Sequence, residues 1–296
     1  MKRICYFFII FCFIISAFDQ CYALNWKFLH EYADRISFSK TKVEIDKDLS
    51  VIEKLYILGL MHLNKHQDDL AEAAFRSIAG LEPDNMEANW GLAEVLRRKR
   101  SLDESEKLIG QVIKKDPQFW PAYITLSYIK YTRQDFQGAV NLATKVVRQG
   151  RESMDLSNFT RSYLIIGGAK GMIANRGGPI AKVLNGLQVL PNLKKAVQLQ
   201  PDSAEVLFGL GSFYFLAPLI AGGHRDKAKQ YLERTIEADP LFVDAYVRLA
   251  QLHKMQGDLE KSKIYFEEAI KIDPENTLVQ DFKSGKCRFA CISTEE

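Results

Sequence analysis

Cysteine is scarce and clustered: of five in 296 residues, Cys5, Cys12 and Cys21 lie at the start and only Cys287 and Cys291 follow. A disulfide-stapled small-domain fold is therefore excluded, and a chain this long needs none to bury a core. No run of five Lys or Arg occurs, and 40 basic against 37 acidic residues leave a formal charge of +3. Composition thus gives nucleic acid no claim as a partner. The His-Glu-x-x-His, Gly-x-Ser-x-Gly and Gly-x-x-x-x-Gly-Lys-Ser/Thr signatures are missing, which removes zinc proteases, serine hydrolases and phosphate-loop enzymes. Gly167-Gly168 and Gly177-Gly178 lie on or after a helical pattern, not between a strand and a helix. Of His30, His62, His66, His224 and His253, only His62 and His66 have ligand-like spacing, and nothing nearby supplies a third metal ligand. Glu267 and Glu268 are successive positions on a solvated helix, not a matched acid and base. The expectation is a chain that is not an enzyme and carries no cofactor or metal.

One long apolar run is present. Met1, Lys2 and Arg3 lead into Ile4 to Phe18, followed by a short segment in which Cys21 and Ala23 provide small residues ahead of Leu24. A basic start, a short apolar run and small residues at this spacing are the pattern of a secretory signal peptide over 1–23, too short to span a bilayer comfortably. The expected location is periplasmic or secreted, with a retained anchor as the alternative. Membrane contact is expected only through this targeting segment or through envelope partners. Export would leave Cys287 and Cys291 as the thiols of the mature chain. Their spacing permits a local disulfide, and two inert thiols fit equally.

The whole chain is 47% hydrophobic and 26% charged, as folded proteins are. Pro83 and Pro117 are 34 residues apart, and so are Pro240 and Pro274. Each ends a helical pattern, because proline offers no N–H and restricts the residue before it. An acid precedes each one: Glu82, Asp116, Asp239 and Asp273. Small residues recur where paired helices must approach closely, namely Gly59, Ala93, Ser127 and Ala250 on first helices and Ala71, Ser105, Ala139 and Ser262 on second helices.

These positions resemble the tetratricopeptide repeat (TPR). The resemblance implies an all-α fold, a right-handed superhelical solenoid of about six helix-turn-helix units. A single hairpin cannot hide its apolar stripe, so neighbours must stack. The expected organisation is a capping segment over 24–51, three units over 52–153, three more over 154–276, and a capping helix with a tail over 277–296. Two units exceed 34 residues, and both excesses are expected as enlarged turns between their helices, one over Asn175 to Leu190 and one over Ala217 to His224.

Pro218 to Gly223 ahead of a charged helix is similar to turns in exported bacterial repeat proteins, including the T-component proteins associated with TRAP transporters. That likeness covers 159–276 and departs from the pattern at His224, where an acid is more usual. It implies a periplasmic protein that contacts a solute-binding partner or takes up a small apolar ligand, with Gly177, Gly178, Pro179, Pro218, Gly222, Gly223 and His224 as candidate ligand turns.

In TPR arrays the inner face of each first helix lines a concave groove. Transferred to this chain, that geometry nominates Tyr56, Trp90, Glu94, Arg97, Arg98, Tyr128, Tyr131, Phe208 and Phe215 as partner-binding residues. Tyr and Trp offer contact area at low entropy cost, and Arg97 with Arg98 can pair a carboxylate, so a protein or peptide, such as an amphipathic helix, is the expected partner. The alternative is a carrier whose enlarged turns fold over Tyr163, Phe208, Tyr214 and Phe215 to enclose an apolar solute.

Overall fold

The computed structural model describes residues 24–37 and 45–285. Residues 1–23, Cys287, Cys291 and the tail beyond Gly285 lie outside them. The described residues form fourteen α-helices: α1 Trp26–Ser37, α2 Val51–Asn64, α3 Asp68–Leu81, α4 Met86–Arg98, α5 Leu102–Lys115, α6 Trp120–Thr132, α7 Phe136–Val147, α8 Leu156–Arg176, α9 Pro179–Leu199, α10 Ala204–Leu216, α11 Arg225–Ala238, α12 Val243–Met255, α13 Leu259–Ile272 and α14 Thr277–Ser284. From α2 to α13 they pair as six antiparallel hairpins, each helix packing mainly on its neighbours in sequence.

The start and stop signals follow from local chemistry. Ser50 accepts from the Glu53 backbone N–H while the Glu53 carboxylate accepts from the Ser50 backbone, a reciprocal cap that opens α2. Asn85, Asp135, Asp155, Asp258 and Asn276 each accept from a first-turn backbone N–H. The acid before each proline is a turn former. Asp116, Asp239 and Asp273 accept from the N–H two residues on, at 2.7, 3.0 and 3.0 Å, bridging over the proline that cannot donate.

All eight small positions are buried or at a close approach. A methyl group on Gly59 or on Gly91 would lie 2.5 Å from the Phe75 ring, so this side chain is clamped between two first helices. Ser105 fits by donating to the Ala93 carbonyl at 2.7 Å.

The first long unit differs from the enlarged turn expected for it. Its extra residues lengthen the helices: α8 and α9 each run 21 residues and turn at Gly177-Gly178 alone. A Cβ on Gly177 would lie 2.5 Å from that of Ala181 and 2.8 Å from the Ile173 carbonyl, which is why the corner is glycine. Pro179 then starts α9 where its missing N–H costs nothing. Pro191 sits inside α9, but both it and Leu187, whose carbonyl it cannot bond, face solvent. The second long unit does have an enlarged turn, with a 3₁₀ segment at Leu219–Ala221. A Cβ on Gly223 would meet the Ala217 carbonyl at 1.9 Å, and His224 N–H bonds back to the Tyr214 carbonyl.

The array curls until its two halves touch. His66 Nε2 lies 2.7 Å from Asp239 Oδ2 and Arg100 Nη2 lies 2.5 Å from Asp273 Oδ2, both across 173 residues, since each side advances by one repeat. Arg98 donates to His66 Nδ1 at 3.0 Å, so the other ring nitrogen carries the proton given to Asp239. Half-exposed pairs of this kind are worth about 0–1 kcal/mol each. The double substitution His66→Glu with Arg100→Glu is therefore expected to leave the melting temperature within a few degrees and to enlarge the radius of gyration in small-angle X-ray scattering. An unchanged radius would show that curvature is set by hairpin packing alone.

Candidate functional site

The inner face of the first half is already occupied. Instead of only covering the end of the first unit, α1 lies across residues of α2, α4 and α8. Leu29, Tyr32, Ala33 and Ile36 join the same apolar core as Tyr56, Phe75 and Trp90. Trp26 meets Phe119 edge-on at 5.3 Å, and His30 packs on Trp90 at 4.9 Å. A polar lattice fixes the register. His30 Nε2 lies 2.9 Å from Tyr56 Oη, and its Nδ1 lies 3.3 Å from Asn158 Nδ2 and 3.4 Å from Asp155 Oδ2. Asp34 accepts from Asn64 at 3.0 Å and from Ser157 at 2.5 Å. At the rim Lys27 donates to the Glu152 carbonyl and Arg151 pairs with Glu31.

The charges respond to this enclosure. Burial pushes the Asp155 carboxyl up, but His30 beside it and the hydrogen bonds from Asn158 outweigh that and hold it below the usual carboxylate range. Burial dominates at Asp34 and raises it despite Ser157 and Asn64. The Tyr56 phenol is pushed well above its ordinary value, by burial first and by Glu87 and Asp155 next.

Tyr56 is thus fully buried and Trp90 nearly so, both beneath α1. Trp90 Nε1 donates to Thr125 Oγ1 at 2.9 Å, satisfying its polar end inside the array. Beyond α1 the inner face continues as a row of charges and phenols. Arg97 pairs with Glu94 at 2.9 Å and lies 5.0 Å over the Tyr128 ring. Arg161 on α8 grips Glu205 on α10 through two hydrogen bonds of 2.9 and 3.0 Å. These pairs feel one another, Glu94 the Arg161 guanidinium and Glu205 that of Arg97. Burial opposes ionisation of Glu94, yet Arg97, Thr125 and Arg161 together bring its carboxyl down to about 2.

A carboxyl depressed in the folded state contributes stability above its unfolded value and loses it as pH falls through the folded one. Glu94 should therefore contribute fully above about pH 5 and lose that contribution between about pH 5 and 2. Comparing melting temperatures of Glu94→Gln and the parent across this range should show the largest gap at neutral pH, narrowing on acidification. A constant gap would refute the pairing.

The nominated residues do not all face a guest. Arg98 is not on the inner row: it bonds Asp68 at 2.9 Å and the Leu63 carbonyl at 2.8 Å and orients His66 at the edge. Arg97 and Arg98 each already hold a carboxylate of the chain itself. Phe208 lies against Phe242 at 4.9 Å, and Phe215 is buried beside Arg248. Tyr128 and Tyr131 remain partly accessible, burial raising the Tyr131 phenol to about 12. The lining suggested for a carrier is likewise engaged, with Tyr163 edge-on to Phe159 and Tyr214 stacked on Tyr231. Gly177, Gly178 and Pro179 make the α8–α9 corner, beside a depression of about 380 Å³ lined by Asp135, Phe136, Met172 and Arg176 among others. Pro218, Gly222, Gly223 and His224 make the second turn, His224 accepting from the Lys227 N–H at 3.4 Å. Among the described residues no group of His, Cys, Asp and Glu is arranged to hold a metal, and no helix is long and apolar enough to cross a membrane.

Sequence reasoning passed over Arg161, Glu205 and the polar residues under α1. Glu205 stands three residues before the nominated Phe208, on the same helix face, and that spacing is the signal that points to it.

The tetratricopeptide repeat family description matches residues 56–121 and again 243–276, the second span coinciding with the last hairpin. Those two spans carry tetratricopeptide repeats. Over 87 residues, 29% of the chain, it is 31% identical to a UDP-N-acetylglucosamine–peptide N-acetylglucosaminyltransferase of Giardia intestinalis, of which this is 6%. Over 209 residues, 71% of the chain, it is 22% identical to human protein O-mannosyl-transferase TMTC1. That span is 22% of TMTC1, so this TPR chain corresponds to a minor part of either relative. Among solved structures, a monomeric IFIT1 mutant with Gppp-AAAA superposes with a TM-score of 0.57 at 15% identity, covering 79% of this chain and 53% of that one. The likeness concerns the TPR fold alone.

Proposed function

We propose that this TPR array is a non-catalytic, exported scaffold that binds a protein or peptide partner through its inner face. The observation that supports it most is α1 itself: an amphipathic helix lies on that face, anchored by aromatic rings and a buried polar lattice. A face that takes one helix of its own chain has the shape and chemistry to take another. The remaining inner row, with Arg97, Tyr128, Tyr131, Arg161 and Glu205, supplies partly exposed phenols and exchangeable ion pairs for a peptide. Location in the periplasm or outside the cell rests on the pattern of residues 1–23, and the non-catalytic role on the lack of a matched acid, base or nucleophile motif in the sequence.

Affinity capture from cell-envelope extract tests this reading. The Tyr128→Ala, Arg97→Glu double variant, shown by circular dichroism to retain its helices, should recover the specific partner at least about tenfold less well than the parent, the loss expected when interface anchors are removed. Equal recovery would place binding elsewhere.

A further inference from the structure

The α8–α9 hairpin overhangs the stack. Counted back from the proline that closes each unit, α9 begins about seven residues earlier than α3 does, an extension of about 10 Å at the helical rise. The α6–α7 turn meets its corner, where Arg176 donates to Gln134 at 2.7 Å, while its outer side is apolar. Ile180, Val183, Leu184 and Leu187 are 76, 58, 60 and 73% exposed. At 3.6 residues per turn they occupy an arc of about 100°, roughly opposite the buried Val189, Leu193 and Ala196. Lys194 and Lys195, both exposed, continue the same side of the helix. The next turn along this edge, held by hydrogen bonds to the Pro218 carbonyl, exposes Leu219 at 79% and Ile220 at 98%.

Charge identifies the partner. Between Asp155 and Asp202 there is no Asp or Glu, and with Arg161 paired to Glu205 on the inner face the hairpin carries five further cations, Lys170, Arg176, Lys182, Lys194 and Lys195, with Asp135 of the α6–α7 turn as a carboxylate beside its corner. The rest of the chain mixes signs closely. A protein partner asks only for local complementarity at the contact, whereas an extended anionic surface disfavours every carboxylate within a Debye length of it. Parallel self-pairing of two copies along this stripe would bring Lys194 and Lys195 against their own kind, and the antiparallel pairing that avoids this is an outcome the test below distinguishes. We propose that the overhanging α8–α9 hairpin docks on an anionic lipid bilayer surface, inserting Ile180, Val183, Leu184 and Leu187 among the acyl chains while Lys194 and Lys195 lie at the headgroups. The stripe points away from α8 and belongs to a second helix, so docking leaves the inner face free and stands independently of the peptide-binding reading.

The test uses the full chain with vesicles of phosphatidylglycerol and phosphatidylethanolamine, and with phosphatidylcholine vesicles alone. Because Ile4 to Phe18 is itself apolar, the readout must be local. Hydrogen exchange of residues 179–190 should slow at least about fivefold on the anionic vesicles, with little change on phosphatidylcholine. The protection should vanish in Leu184→Asp with Leu187→Asp, two exposed positions whose change leaves the circular dichroism spectrum intact. Unchanged exchange of 179–190 on anionic vesicles overturns the proposal, even if the chain sediments with them. So does slow exchange without lipid accompanied by a dimer in sedimentation velocity that the same double variant dissociates, which would make the stripe an interface between copies. Capture of a protein by the stripe, with no vesicle protection, would equally overturn it.

Discussion

Asp155→Ala is expected to cost about 2–4 kcal/mol in urea unfolding and to release α1 from the array. The first part follows from the local chemistry. Asp155 is fully buried, caps α8 by accepting from the Asn158 N–H at 2.9 Å, and accepts from the Asn158 side chain at 2.9 Å. Loss of the cap costs about 1 kcal/mol, and the unsatisfied Asn158 amide adds about 1–3. The second part follows from topology. His30 loses the carboxylate beside it, and α1 is otherwise tied to α8 by Ser157 and to the turn before α8 by Glu152 and Arg151. Hydrogen exchange should therefore quicken in 26–37 well before it does in α10–α13. Because the Asp155 carboxyl is held below its usual range, its contribution is present above about pH 4 and fades as pH falls through the lower folded value. The variant and the parent should accordingly converge in acid. If α1 stays protected in Asp155→Ala, the buried lattice does not seat it. If α1 is released and the inner face is a guest site, partner capture should rise.

How far the structure was legible in the sequence depended on whether a feature repeats. The hairpins were, because the spacing of Pro83, Pro117, Pro240 and Pro274 and the small crossing residues state the same constraint several times over. The seat of α1 was not. Its contacts with α8 and the turn before it join residues 120 to 128 positions apart, as Glu31 with Arg151 and His30 with Asn158, and nothing periodic marks them. Trp26, Phe28, Leu29 and Tyr32 stand at helical spacing within the capping segment, which marks a helix but not its destination. The overhang misled for a local reason. Gly177-Gly178-Pro179, Asn185-Gly186 and Pro191 are ordinary loop formers, and each is tolerated here for a particular cause: a tight corner, a face against α8, and an outward carbonyl. At the inner row, residue type was informative while availability was not, since Arg97 and Arg98 satisfy carboxylates from their own chain before any partner arrives.

Phe75→Ala should have the largest effect on stability, about 3–5 kcal/mol, the range for deleting a fully buried phenyl ring. The site cannot relax around the loss, because the ring's neighbours are Gly59 and Gly91, which have no side chain to move into the void, and the backbones of α2 and α4 are held by their own packing. Tyr56 leans on Phe75 at 5.8 Å, and Tyr56 is the hydroxyl that holds His30. A cavity at Phe75 therefore reaches α1 in two contacts. A ring at the free end gives the comparison: Phe266 is only partly buried and meets Phe282 of α14 at 4.5 Å. In an array stabilised by nearest-neighbour terms, Phe266→Ala should cost roughly half as much and loosen only α13 and α14. Urea midpoints and residue-resolved hydrogen exchange on the two variants separate these outcomes. Equal costs with global loosening in both would mean that the clasp from His66 to Asp239 and from Arg100 to Asp273 makes the array one cooperative body. A large cost at Phe75 with α1 released and α10–α13 unchanged would show the inner face opening by local unfolding of its first half.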